Sequence, residues 1–379
     1  MKFDFNLPVN LLFGNGRTAE AGAVVSSWGK KALLVTGGNS ARKSGLLDRV
    51  QEQLRLSGVE SLVFDKVTPN PTTTIAYAGA KKAEENGCDV VVAVGGGSII
   101  DCAKAVAFIV KNDGDIMDYI FGLRSGTQAL PLIAIPTTCG TGSEGNGFAV
   151  LTNPSNGDKK SLRCNAIIPK TSIIDPECMM TMPKELLASV GYDALCHNME
   201  GYISVIGQPI TEMYAREGMR LIAEHLLPIY GGDNAPEHWE AITWASTLGG
   251  MVINCAGVGL PHGMEHPASG LKNISHGKGL AALTPVVLEE SIPYAPKKYG
   301  IIARILGGED EHTLVSALKN FQKKLGLDIT LADLGFDESD VDWMTENCLK
   351  VSVGSIATHP MPADREKIRE IYIKSLAGI

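Results

Sequence analysis

Asp89-Val90-Val91-Val92-Ala93-Val94-Gly95-Gly96-Gly97-Ser98 decides how the rest of the chain reads. The valine-rich run has no polar alternation, as expected of a strand buried on both faces of a parallel sheet. It feeds directly into three glycines, then into a helical stretch that carries Asp101 and Lys104. Glycines let a backbone approach a ligand closely, and a helix N-terminus offers free N–H groups and a positive dipole end to a pyrophosphate. The run is not the spaced GxGxxG fingerprint, and a plain tight turn is the competing reading.

Working outward, short β-branched runs at Lys31–Thr36, Ser61–Phe64, Leu132–Ile135 and Ser172–Ile174 alternate with helical stretches at Leu46–Ser57, Thr73–Glu85 and Ile100–Val110. This is the pattern of βαβ units and predicts a Rossmann-like parallel sheet. After Asp175-Pro176 such runs become rare, and apolar residues recur at helical spacing in Lys184–Ser204, Ile210–Leu226, Trp239–Cys255 and His312–Leu325. The expected organisation is an α/β N-terminal domain over 1–178 and an all-α C-terminal domain over 179–379, with a cleft between them as the default site.

Two further loops follow predicted strands: Thr36-Gly37-Gly38-Asn39-Ser40, and Pro136-Thr137-Thr138-Cys139-Gly140-Thr141-Gly142-Ser143-Glu144. Hydroxyls and glycine amides at such density suit polar ligand contacts, and ligands of open α/β sheets bind at the carboxyl ends of strands. Three such loops on one sheet point to a dinucleotide.

In the second half, Asp193 and His197 stand four apart and share one helix face. His262, His266 and His276 follow within fifteen positions, in a chain with 8 histidines. Imidazoles with one carboxylate form a nitrogen-rich set for a divalent first-row ion. Spacing leaves open which three histidines coordinate, because Pro267 and Gly270 are expected to interrupt a single helix across the group. The remaining histidines, His225, His238, His312 and His359, read as surface residues, and Met179, Met180 and Met182 as packing.

The formal charge of −8, from 34 Lys+Arg against 42 Asp+Glu, gives no footprint for nucleic acid or an anionic membrane. Eight cysteines without a CxxC pair read as free thiols in a reducing compartment. The start lacks the basic and apolar regions of a signal peptide. Ile242 to Met264, although uncharged over most of its length, carries glycines, Asn254 and Pro261, which fit a buried helix and turn better than lipid. A cytoplasmic protein is expected.

Together, Gly95-Gly-Gly-Ser-Ile-Ile-Asp101, Pro136 through Glu144, Asp175-Pro176, Gly191-Tyr-Asp-Ala-Leu-Cys-His197 and the histidine segment resemble the iron-containing (group III) alcohol dehydrogenases, of the butanol, 1,3-propanediol and lactaldehyde type. The resemblance implies a dehydroquinate synthase-like architecture, a homo-oligomer, and metal-dependent, NAD(P)-linked interconversion of an alcohol and its aldehyde. It makes Asp193, His197, His262 and His276 the metal ligands, with Fe²⁺ expected and Zn²⁺ possible in the same site, and His266 a proton-relay candidate. Gly95, Gly96, Gly97 and Ser98 would hold the pyrophosphate, with Asp101 closing that motif. Thr137, Thr138, Thr141 and Ser143 would contact phosphates, ribose and nicotinamide. Lys160 matches the lysine near the nicotinamide ribose, with Lys159 one place away.

Many NAD-using relatives carry an aspartate after the first strand, where this chain has Gly37. Without that carboxylate, Gly38, Asn39, Ser40 and the nearby Arg42-Lys43 favour a 2′-phosphate, so NADP(H) is expected over NAD(H). Gly145-Asn146-Gly147 also departs from the family's β-branched residues, and Ile253 aligns with a pocket wall. Hydroxyacid–oxoacid transhydrogenation and a dehydroquinate-synthase-like lyase are the alternatives on this scaffold. The lyase needs a basic pocket, and only Lys272 and Lys278 lie near the histidines in sequence.

Overall fold

The computed structural model describes residues 2–379. The described residues form two compact units: residues 7–156 with 160–182, and residues 2–6 with 157–159 and 183–379.

The first unit is built on six parallel strands: β1 (Asn10–Phe13), β2 (Lys31–Gly37), β3 (Glu60–Val67), β4 (Val90–Gly95), β5 (Leu132–Pro136) and β8 (Thr171–Ile174). Their order across the sheet is β1-β8-β5-β4-β2-β3. A separate two-stranded sheet pairs β6 (Phe148–Thr152) with β7 (Lys159–Arg163). Every residue of β4 is buried, because both faces of the sheet are covered. Leu33, Val35, Val91, Ala93, Leu132 and Ala134 pack towards the helices Thr73–Glu85 and Gly97–Ile109. The alternate residues Leu34, Val92, Val94, Ile133 and Ile135 pack against Leu46–Leu56 and Ala21–Ser26. This alternation is the period of two of a pleated strand.

The sheet register aligns the three loops read from sequence. Thr36 pairs with Val94 and Gly95 with Pro136, so β2, β4 and β5 end side by side. Between β2 and β4 the strand order reverses direction, which is where open α/β sheets place their ligands.

The second unit is helical, led by Lys184–Ile203, Pro209–Tyr230, Pro236–Ala256, Leu260–Lys272 and His276–Ser291. Pro267 and Gly270 do not break Leu260–Lys272, contrary to the sequence expectation. A proline within a helix leaves the carbonyl four residues earlier without its usual donor. Here that carbonyl, Gly263 O, accepts instead from Ser352 Oγ at 2.7 Å and Cys348 Sγ at 3.4 Å. Side chains from another part of the unit therefore replace the missing helical bond.

Three of the four outlying histidines are not isolated surface residues. His359 is buried, with Nε2 2.7 Å from Ser291 Oγ. His225 and His238 are half-buried and face each other through their Nδ1 atoms at 2.7 Å; only His312 is exposed. Of the methionines, Met179 is buried but Met180 is exposed. All eight cysteines are free, and Ile253 is buried in its helix. Among the described residues no single helix is long and apolar enough to cross a membrane; the bent pair Pro236–Ala256 and Leu260–Lys272 passes on length and composition, and is largely buried.

Lys104 organises the glycine-rich side of the sheet. Fully buried, it donates to Ser143 O and Oγ and to Phe148 O at 2.7 Å, and to Asn146 Oδ1 at 3.0 Å. Burial pulls its ammonium down to about 8. Lys104→Met would leave these acceptors without their donor, and we expect a stability loss of about 3 kcal/mol or more in chemical denaturation.

Candidate metal centre and nucleotide loops

In the helical unit, Asp193, His197 and Glu200 occupy positions i, i+4 and i+7 of Lys184–Ile203 and so share one face. His262, Glu265 and His266 lie on Leu260–Lys272, and His276 begins the next helix. Packing brings these short segments together. Asp193 Oδ1 is 3.3 Å from His262 Nε2, 3.6 Å from His276 Nε2 and 3.6 Å from His197 Nδ1. The rings of His197 and His262 stack at 4.4 Å.

Ligand atoms of Asp193, His262 and His276 lie within 4.8 Å of one another, with His197 stacked beside them. Asp193 Oδ1 and His262 Nε2 are buried and lack a hydrogen-bond partner. Such orphaned atoms are costly, and a shared cation removes the cost for both. The donor set therefore fits a divalent ion of the Fe²⁺ or Zn²⁺ type.

Two carboxylates that sequence reading missed set the orientation of the histidines. Glu200 Oε1 lies 2.6 Å from His262 Nδ1, and its Oε2 accepts the backbone N–H of Gly259 at 2.7 Å. Glu265 Oε2 is hydrogen-bonded to His276 Nδ1. Each carboxylate holds one ring nitrogen and leaves Nε2 facing Asp193, the arrangement that metal-bound imidazoles generally adopt. The signal was present in the spacing: Glu200 is three residues after His197, and Glu265 three after His262.

Charge in the cluster is tightly coupled. Burial alone would raise the Asp193 carboxyl, but the imidazoles of His197, His276 and His262 hold it well below the usual carboxylate range. Burial opposes charge on His262 as well, yet Glu200 and Asp193 outweigh it and push the imidazole up to about 10. His197 is pulled down to about 4 by burial. His266, whose ring stacks on His276 at 5.8 Å, is held well below its ordinary value by burial and then by the Lys159 ammonium.

The lysine brought to this cluster is Lys159, whereas Lys160 was the one expected near a cofactor. Lys159 is buried, donates to Ser269 Oγ at 2.6 Å and lies 3.7 Å from Glu265 Oε2. Lys160 belongs to the α/β unit, with its ammonium 5.5 Å from the centre of the Phe121 ring.

On the sheet, Gly96 caps the Gly97–Ile109 helix with no side-chain hydrogen bond, so the first helical N–H groups are not covered by a capping side chain. The glycines serve packing as well. A Cβ on Gly96 would come 2.8 Å from Thr138 Oγ1, and one on Gly97 would come 2.3 Å from Thr141 Cγ2. The glycine run and the threonine loop can lie together only because those side chains are absent. Gly37 sits beside this pair at the end of β2, ahead of Gly38, Asn39 and Ser40.

Asp101 and Ser143, two of the residues expected at the cofactor, are hydrogen-bonded to each other. Ser143 Oγ donates to Asp101 Oδ1 at 2.6 Å and accepts from Lys104, and Asp101 Oδ2 accepts from Val150 N at 2.9 Å. These two side chains fix the loop from within. Asn146 completes the same clamp, its Oδ1 accepting from Lys104 and from Phe148 N.

Residues 8–176 match the iron-containing alcohol dehydrogenase family, and residues 187–376 match the C-terminal part of the Fe-containing alcohol dehydrogenase family. The chain is 34% identical over 381 residues to a 1,3-propanediol dehydrogenase of Citrobacter freundii, covering 98% of each chain. It is 34% identical to alcohol dehydrogenase 4 of Schizosaccharomyces pombe, over 97% of this chain and 88% of that one. Its structure superimposes with a TM-score of 0.95 on an archaeal halo-thermophilic alcohol dehydrogenase from a Red Sea brine pool, at 33% identity over 99% of each chain. With both halves matched and near full-length relatives above 30% identity, the chain belongs to the iron-containing alcohol dehydrogenase family.

Proposed function

We infer that this chain is a metal-dependent, NAD(P)-linked alcohol dehydrogenase that interconverts a primary alcohol and its aldehyde. The observation that carries the reading is the convergence of two orphaned buried atoms, Asp193 Oδ1 and His262 Nε2, among three further imidazoles. Asp193, His197, His262 and His276 are the proposed ligands, with Fe²⁺ the proposed ion and Zn²⁺ a competent substitute. When bound, the ion supplies Lewis-acid polarisation of the carbonyl and the nicotinamide supplies hydride.

The chain's own residues supply position and protons. Glu200 keeps His262 in the tautomer that presents Nε2. His266, kept neutral at pH 7 by burial and by Lys159, is proposed to relay the proton exchanged with the alcohol oxygen. The free N–H groups at the start of Gly97–Ile109, with Ser98, Thr137, Thr138 and Thr141 beside them, are proposed to hold the nucleotide phosphates.

For the cofactor, NADP(H) is proposed over NAD(H). Gly37 offers no carboxylate to repel a 2′-phosphate, and Arg42 and Lys43 are exposed just beyond it. Asp65 lies 3.6 Å from Arg42 and tempers that charge without burying it. The protein is proposed to act in the cytoplasm as a homo-oligomer, on a small-molecule substrate and with neither nucleic acid nor membrane as partner.

His262→Ala should lose metal and turnover together while NADPH, followed by its fluorescence, still binds; full metal and full activity in that variant would refute the ligand assignment. Metal affinity should rise with pH by about tenfold per unit up to about pH 10, because His262 must give up a proton to coordinate and that proton is held to about 10. Competition with a chelator between pH 6.5 and 8.5 measures this, and a flat profile would exclude His262 as the displaced acid. NADPH should bind more tightly than NADH, and Arg42→Ala should narrow the gap roughly fivefold, the equivalent of about 1 kcal/mol. An unchanged ratio in titrations of the two cofactors would remove Arg42 from the selection.

A further inference from the structure

Beside the proposed metal ligands lies a second set of donors. Ligand atoms of Glu265, His266 and His276 also lie within 4.8 Å of one another. His276 belongs to both sets, with Nε2 towards Asp193 and Nδ1 bonded to Glu265. Counted as donors alone, the outer set would take a second cation.

Lys159 already fills that role. Its ammonium is 3.7 Å from Glu265 Oε2 and is held in place by Ser269 Oγ at 2.6 Å. Lys159 and Glu265 are both buried, Glu265 with no exposure at all, so water screens their attraction weakly. A dication bonded to Glu265 would have to displace this ammonium or lie against it. A buried carboxylate with a fixed ammonium on one side and an imidazole on the other has a different use.

We propose that Glu265 is a positioning residue for the metal centre, dividing one buried negative charge between His276 and Lys159. Towards His276, it fixes the Nδ1–H tautomer and makes Nε2 a stronger donor. Towards Lys159, it holds the ammonium at the edge of the cluster, where the lysine draws charge away from His276. Glu265 and Lys159 therefore act on the metal in opposite directions: the carboxylate tightens the site and the lysine loosens it. This rests on the metal reading given above.

The test loads Co²⁺ into the wild-type protein and into Glu265→Gln, Glu265→Asp and Lys159→Met. It then measures ion content per chain, the rate of loss to a chelator, and the visible spectrum of the bound ion. One ion per wild-type chain is expected. Glu265→Gln should release it about 10- to 100-fold faster with shifted visible bands. Glu265→Asp should restore part of the difference, and Lys159→Met should release the ion more slowly than wild type. General damage to the fold would speed release in both Glu265→Gln and Lys159→Met, so opposite signs separate the proposal from a merely structural role.

Two ions per wild-type chain, with the second lost in Glu265→Gln, would overturn the proposal in favour of a second metal site. Wild-type release and spectrum in metal-loaded Glu265→Gln would overturn it while leaving the metal reading intact. A wild-type chain that takes up no ion overturns both.

Discussion

Uncompensated negative charge at the centre of the helical unit is the constraint on which its architecture depends. Asp193, Glu200 and Glu265 are each buried, with relative exposures of 3%, 1% and 0%. An isolated carboxylate in such surroundings would be expelled or neutralised. Lys159 contributes one positive charge beside Glu265. Three carboxylates against one ammonium leave two negative charges among neutral imidazoles, which is the charge a single divalent ion cancels. Without the ion, His262 is the imidazole that must carry a proton, and its elevation to about 10 expresses that demand. The proposed divalent ion would be the missing counter-charge of this cluster, to which three helices each contribute side chains.

The sheet is governed by a constraint of shape. Parallel strands bring three loops to one edge only if the backbones there can pass each other, and at two positions a single methyl group would prevent it. Gly96 yields its side-chain space to Thr138 and Gly97 yields its own to Thr141. Once the loops are in contact, Lys104 supplies the donors that Ser143, Asn146 and Phe148 require, and Asp101 takes the hydroxyl of Ser143. The motif thus divides into two parts. Asp101, Ser143, Lys104 and Thr141 hold the loops, Thr141 Oγ1 accepting from Ser143 N at 3.2 Å. The helix end that starts at Gly97 carries no capping side chain and is the part proposed to meet the phosphates.

This division explains which parts of the site could be read from the sequence. Strand identities were legible because burial on two faces writes itself as runs such as Val90–Val94, and Asp193 with His197 was legible because helical spacing is periodic. β1 (Asn10–Phe13) and β7 (Lys159–Arg163) contain no β-branched residue, and β6 (Phe148–Thr152) is buried only at alternate positions, so none of the three presents such a run. The helix through Pro267 was hidden for a different reason. Local propensity argues against it, and what rescues it are Cys348 and Ser352, more than eighty residues away in sequence. For Asp101 and Ser143 the motif identifies residues the loop needs, while the bond between them is a product of the fold.

Lys159 and Lys160 carry that point to a single residue. Adjacent side chains in a strand point to opposite sides, so a shift of one position changes which surroundings a lysine enters. Here the chain passes from the helical unit to the α/β unit between these two residues. Lys159 is drawn into the charge balance of Glu265, and Lys160 rests over the ring of Phe121. A lysine doublet in sequence contains no information about that choice. For Lys159 it follows the buried carboxylate, because facing Glu265 its ammonium is taken out of water with a counter-charge 3.7 Å away.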